Sequence, residues 1–251
     1  MKYLNAGSVS SAFAAVVVVC AGSNAYALDE IYSPNAEYHE LSLEYNGSRT
    51  FDNEVDKNNA QEHELAIEAG LTPHFTGEIS AGFERDPTAD NPTAKMTDVE
   101  IEGRYQFFEP GENWIDSGML LAYDSATTKQ SPDTVEAKLL LQKDIGKITS
   151  TANIGFEQST GPYSAGGPDF VFLWNTRYRF NINFQPGIEI QSDLGQGSAL
   201  RYFNQQEHYI GPAVYGEIIP HLKYQAAWLA GASDAASSSA ARLLLEYEMH
   251  F

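Results

Sequence analysis

Polar and apolar residues alternate one by one along most of this chain, and a period of two marks a β-strand with two unlike faces. Glu40–Tyr45 reads Glu-Leu-Ser-Leu-Glu-Tyr. In Glu62–Ala69, Glu62, Glu64 and Glu68 share one face, and Leu65 and Ile67 lie on the other. Phe75–Glu84 sets Phe75, Ile79, Ala81 and Phe83 against Glu78, Ser80 and Glu84. Asp98–Phe107 opposes Val99, Ile101, Tyr105 and Phe107 to Asp98, Glu100, Glu102 and Arg104. Twelve such segments are predicted, at roughly 37–50, 60–71, 74–85, 96–108, 114–124, 134–143, 147–158, 168–180, 183–193, 205–217, 221–231 and 240–251. Each is long enough for a tilted membrane span of about 9–11 residues. Beyond residue 27 the chain has no run of 18 apolar residues, which excludes helical spans.

The connections set the expected topology. Leu71-Thr72-Pro73, Glu109–Asn113, Asp144-Ile145-Gly146, Phe180–Ile182 and Ile218-Ile219-Pro220 read as short turns. Asp52–Asn59, Asp86–Lys95, Ser125–Asp133, Ser159–Gly167, Leu194–Asn204 and Ser233–Ser239 read as longer loops rich in turn formers. A strict short–long alternation on an even number of strands predicts an all-β fold, a transmembrane antiparallel up-and-down β-barrel of about twelve strands. A soluble β-sandwich has no reason to sort its loops by length. Aromatic residues near predicted strand ends (Tyr45, Tyr105, Phe107, Tyr123, Phe156, Phe170, Tyr178, Phe180 and Tyr247) suit two interfacial girdles. Twelve strands about 4.8 Å apart and tilted by roughly 40° give a backbone diameter near 24 Å. That size lies between the side-chain-filled eight-stranded barrels and the wide channels of sixteen or more strands.

The first 27 residues have the three parts of a secretory signal peptide. Met1–Asn5 carries Lys2, Val9–Val19 is small and apolar, and Ala25-Tyr26-Ala27 offers small residues for cleavage after Ala27. A lipoprotein signal would use Cys20, but Val17-Val18-Val19 ahead of it lacks the small residues of such a site. The predicted mature chain, 28–251, is a single barrel domain without a linker. It has no cysteine, so disulfides and thiol nucleophiles are excluded. Loss of Lys2 leaves 14 basic against 34 acidic residues, a net charge of −20, which argues against nucleic acid as a partner.

With the polar face inward, the lumen is expected to be rich in acids, from Glu40 and Glu44 through Glu136 and Glu189 to Glu248, with fewer bases. Face parity alone nominates a constriction in which Arg104, Lys138, Arg177 and Arg242 face Glu64, Glu68, Glu78, Glu100, Glu102 and Glu246. Two readings compete. Surplus acid in a hydrated lumen would favour cations or cationic solutes, because unpaired carboxylates are costly away from water. Alternatively, acid–base pairs would seal the barrel as a closed structural or loop-binding protein.

Glu62–Glu84, "EHELAIEAGLTPHFTGEISAGFE", resembles the Glu-rich strand, Gly-Leu-Thr turn and following strand of a family of proteobacterial outer-membrane proteins described as transporters of the MetA pathway of phenol degradation. "HYIGPAVYGEIIPHLKYQAAWLAGASDAA" before the closing "RLLLEYEMHF" is similar in kind. The resemblance implies a transport role and says little about the solute. Small anionic-sugar porins resemble the chain less, since their pores are expected to be basic. The final strand, ending at Phe251, resembles the C-terminal signal read by the barrel-assembly machinery. Expected partners are therefore that machinery, outer-membrane lipids and lipopolysaccharide, and small solutes, cationic or aromatic ones included.

An outer-membrane enzyme is the third class. It needs a nucleophile, a histidine and an orienting group within reach. His39, His63, His74, His208, His221 and His250 show no catalytic spacing, and Asp86, Asp90, Glu54, Asp56 and His63 form only an ordinary acidic rim. No enzyme activity is expected. His63 sits on the opposite face from Glu62 and Glu64, which spoils a metal site within that strand. The acidic loop Asp52–Asp56 would at most hold calcium weakly or bridge lipopolysaccharide through divalent ions. Gly161–Gly167 has no phosphate-loop pattern, and no intrinsic metal, nucleotide or redox cofactor is expected.

Overall fold

The computed structural model describes residues 28–89, 92–164, 166–196 and 201–251. The predicted signal peptide lies outside the described residues, as do Asp90 and parts of the loops 86–94, 161–168 and 197–206. The rest is a closed barrel of twelve antiparallel strands, each hydrogen-bonded to its sequence neighbours, with the last strand closing on the first. The strands are β1 (Glu40–Phe51), β2 (Gln61–Thr72), β3 (Phe75–Arg85), β4 (Lys95–Gln106), β5 (Asp116–Ala126) and β6 (Asp133–Ile145). They continue as β7 (Ile148–Thr160), β8 (Asp169–Tyr178), β9 (Gln185–Gln196), β10 (Glu207–Ile219), β11 (Leu222–Gly231) and β12 (Ser239–His250). One 3₁₀ turn, Phe203–Gln205, interrupts the loop before β10.

Parity decides which way each side chain points. Leu43, Leu65, Ile67, Ile79, Ile101, Leu121, Ile154 and Leu243 are all exposed on the outer surface, and Ile79 and Ile101 are about 60% accessible. In water such a continuous apolar band would be costly. Against hydrocarbon it is the expected surface of a transmembrane barrel. Exposed aromatics border the band. Tyr105, Phe107, Phe108, Trp114, Tyr178 and Phe180 gather at one end, and Tyr123, Phe156 and Trp228 lie toward the other.

The strand boundaries agree with the sequence reading to within a few residues, but the loops are sorted less strictly than expected. The connections 73–74, 146–147 and 220–221 are tight. The connection 107–115, expected to be short, is as long as the external loops 52–60 and 86–94, whereas the external loop 127–132 matches the turn 179–184. Pro110 and Gly111, the latter at φ +78°, start a compact structure in which the Glu112 N–H donates to the Glu109 carbonyl at 3.0 Å. The Gly111 N–H donates to Asp116 Oδ at 2.6 Å. Phe107, Phe108 and Trp114 are interfacial rings whose placement takes more chain than a two-residue turn supplies.

Candidate functional site: the charged lumen and its inserted segment

The polar face does point inward, and the ten residues nominated by parity all lie on it. Their pairing was not predictable. Among the described residues, Arg242 pairs with none of the six nominated acids. Its guanidinium donates twice to Glu189, at 2.9 and 3.2 Å, with both side chains almost wholly buried. Tyr215 Oη (3.1 Å) and Gln191 Nε2 (2.7 Å) also donate to Glu189, so this carboxylate is fully satisfied. Arg104 pairs with Glu68 and, at 3.2 Å, with Glu102. Lys138 pairs with Glu136 on its own strand. Lys223 reaches Glu248 and, at 3.8 Å, Glu246 near the short-turn mouth. Arg177 lies 5.3 Å from the centre of the Tyr215 ring. Arg179 sits at the rim, paired with Asp144 at 3.0 Å.

The feature that the sequence did not announce is the segment ahead of β1. Residues 28–37 lie inside the barrel and run from Leu28, toward the long-loop end, down to Glu37 at the short-turn mouth, where the chain turns into β1. Three inward-facing amides hold the segment's backbone. The Asp29 N–H donates to Gln191 Oε1 and Gln191 Nε2 donates to the Asp29 carbonyl, both at 2.9 Å. The Tyr32 N–H donates to Asn153 Oδ1 at 2.7 Å, and Asn153 Nδ2 returns a bond to the Tyr32 carbonyl at 2.9 Å. The Ala36 N–H donates to Gln106 Oε1 at 2.7 Å. A primary amide offers a donor and an acceptor side by side, so it can serve an extended backbone as a neighbouring strand would.

Apolar contacts complete the seat. Leu28 packs with Tyr209, Tyr215, Leu229 and the small residues of β10–β12. Tyr32 packs with Leu120, Ala122 and Leu140 of β5 and β6. The Tyr32 ring also lies under Arg104 (5.0 Å) and Lys138 (5.7 Å), and Lys138 reaches Asp29 at 3.6 Å. Two of the four nominated bases are thus engaged with the segment. Inward leucines on β5, β6, β11 and β12 were the available signal. Apolar residues on the polar face of a barrel wall call for something apolar inside it.

Among the described residues, two cavities flank the segment. One, of about 560 Å³, opens toward the short turns and is lined by Glu30, Glu37, Glu44, Glu68, Arg104 and Glu246 among others. The other, of about 280 Å³, lies toward the long loops between Leu28 and Asp29 and the acids Glu62, Glu64, Asp98, Glu100 and Asp124. Outside the lumen, one histidine meets a serine: His208 Nδ1 is 2.8 Å from Ser192 Oγ. The other ring nitrogen faces the Gln206 amide at 2.8 Å, where a triad would place a carboxylate.

No protein-family model matches the sequence, and comparison with curated proteins returns no relative. Solved structures do match in fold. The crystal structure of an outer-membrane channel from Pseudomonas putida F1 superposes with a TM-score of 0.62 at 13% identity, over 91% of this chain and 98% of that one. The KdgM porin, solved alone and in complex with disordered oligogalacturonate, matches at 0.59 and 10% identity, over 83% of this chain and 99% of its own. The fold is that of the outer-membrane porins. The NanC porin matches as well, at 0.54 and 12% identity, over 83% of this chain and 99% of NanC. These neighbours are porins and channels rather than enzymes.

Proposed function

We propose that the chain is an outer-membrane channel that passes small solutes by passive diffusion along an acid-lined lumen, with residues 28–37 setting the free cross-section. The observation that carries this reading is the pair of cavities flanking the segment, both lined by carboxylates that outnumber the bases within reach. Water must fill such a lumen, since unpaired carboxylates are costly in a dry one. The likeness to porins in strand number and closure supports the same role. Export by a signal peptide cleaved after Ala27, and assembly through the strand ending at Phe251, belong to this reading.

The seat of the segment is finely balanced. The buried Leu28, Ile31 and Tyr32 side chains contribute roughly 2 kcal/mol each, and five amide bonds roughly 1 kcal/mol each. Ordering about ten residues costs roughly 10 kcal/mol or somewhat more. A segment with so little surplus can shift aside for a solute. The lumen potential favours cations and neutral solutes, and it disfavours polyanions such as the oligogalacturonate named with KdgM. The resemblance of Glu62–Glu84 to the MetA-pathway transporters points to the same transport class and admits aromatic solutes. The constriction then lies between the segment and Glu64, Glu68, Glu78, Glu100 and Glu102, with Arg104 and Lys138 on the segment side. Arg242, tied to Glu189, serves the wall.

A closed structural barrel is the second reading, and the inserted segment is the observation that favours it. Planar-bilayer conductance of the refolded protein under a salt gradient separates the two. Stable steps with cation preference support the channel, and a folded barrel that never conducts overturns it.

A further inference from the structure

We infer that the inner wall of β1–β3 carries a divalent-cation site, suited to calcium, formed by Glu44, Glu68 and Glu78. One carboxylate oxygen from each lies within 4.8 Å of the other two. Register places them together: Glu68 pairs directly with Glu78 across β2–β3, and Glu44 follows two residues after Ser42, the β1 partner of Glu68. Calcium binds oxygen ligands at about 2.3–2.6 Å, so two ligands on one ion stand no more than about 5 Å apart. Magnesium, at about 2.1 Å with near-octahedral demands, fits a looser trio of side chains less well.

A cluster of acids is not by itself a site, but one member points to a ligand. Glu78 is only 5% exposed, and its Oε2 is shut off from solvent without a hydrogen-bond partner. Among the described residues no donor or counter-charge is found at pairing distance from either Glu44 or Glu78, whereas Glu68 shares Arg104 with Glu102. One arginine therefore answers four neighbouring carboxylates. Glu189 shows what a settled carboxylate looks like in this lumen, receiving four donated bonds. Glu78 has none, and a hard dication supplies what is missing. Glu44 and Glu68 line the larger cavity together with Glu30 of the inserted segment, so the ion has a route in from the short-turn mouth. The site depends on the geometry of the wall and not on conduction.

The test is calcium titration, by calorimetry and by thermal unfolding, of the refolded mature barrel after chelator treatment and free of lipopolysaccharide. Glu78→Gln, Glu44→Gln and the loop control Glu54→Gln are compared with the parent, and heat-modifiable gel migration confirms that each variant is folded. The parent is expected to bind one calcium and unfold at a higher temperature with it. Glu78→Gln and Glu44→Gln are expected to weaken binding at least tenfold, while Glu54→Gln binds like the parent. Without calcium, Glu78→Gln is expected to be more stable than the parent, since it removes a buried charge. Stabilisation by Glu78→Gln in a barrel that takes up no calcium would mean that the acids share protons and would overturn the site. Binding lost in Glu54→Gln would move the ion to the loops, and binding kept in both lumen variants would move it to other acids such as Glu40, Glu246 and Glu248; either would overturn the site.

Discussion

The two sides of the inner wall differ in what they face. From β5 to β12 the wall is dressed for a protein guest: Leu120, Leu140, Leu229 and Leu244 are buried, Asn153 and Gln191 clasp the backbone of residues 28–37, and Arg242 is paired with Glu189. From β1 to β4 it is dressed for water, with Glu44, Glu62, Glu64, Glu68 and Glu100 bordering cavities. The smaller cavity lies against this acidic side and Asp124 of β5, whereas the larger one is also lined by Gln142, Asn175, Arg177, Lys223 and Glu246 of β6–β12. A barrel whose lumen was a uniform charge network would need no such division. The asymmetry teaches that toward the long loops the segment's apolar seat and the acid-lined space occupy different parts of one cross-section.

Removing the segment should break the comparison most completely. Deletion of residues 28–37 is expected to raise single-channel conductance several-fold while leaving the barrel folded. Unchanged conductance would place the segment outside the path. Next in size is Glu189→Gln, which strands Arg242 in the packed wall. Breaking a buried pair by removing one partner costs about 3–5 kcal/mol, here measured as a lower midpoint in denaturant unfolding. Loss of no more than a few tenths would show that water reaches this pair.

On the acidic side the expected effects are smaller and electrostatic. Glu100→Gln should leave stability within about 0.5 kcal/mol of the parent and lower cation preference in the reversal potential. Unaltered selectivity would remove Glu100 from the constriction. The smallest effect concerns the rim. The Glu54 N–H first, and then the Ser238 N–H and hydroxyl, hold the Asp52 carboxyl below the ordinary aspartate value of about 3.9. A depressed value means that the tie between the first and last external loops is complete above the ordinary value and is lost as pH falls through the lower one. Hydrogen exchange at the Ser238 amide should therefore speed up, relative to its neighbours, only at the acid end of a titration from pH 6 to pH 3. Asp52→Asn should remove that extra acid dependence.

The barrel was legible because parity is unforgiving: one face meets lipid and the other water, so Leu65 and Glu64 cannot exchange places. The lumen residues were legible for the same reason. The pairs were not, since choosing Glu189 over the nominated acids for Arg242 depends on reach across a closed barrel, which no strand pattern encodes. Residues 28–37 were missed because Leu-Asp-Glu-Ile-Tyr-Ser-Pro-Asn-Ala-Glu has no period, and the clasping amides look like ordinary polar lumen residues. The turn 107–115 was misjudged because Pro110-Gly111 signals a tight reversal without revealing how much chain the neighbouring rings require.

The β1–β12 seam also bears on how the molecule is built. Glu40 pairs with His250 and Phe51 with Ser239, so the strand made first finds its partner only when the strand made last arrives. Contacts so distant in sequence are slow to form, because a long loop must close before they contribute. Residues 28–37 are joined to that waiting edge. While the sheet is still open they can lie across its concave face without threading, and the amides of β7 and β9 are already in place to receive them. A segment seated before closure is enclosed without threading, so the β1–β12 seam is the last point at which the lumen can be filled from the side.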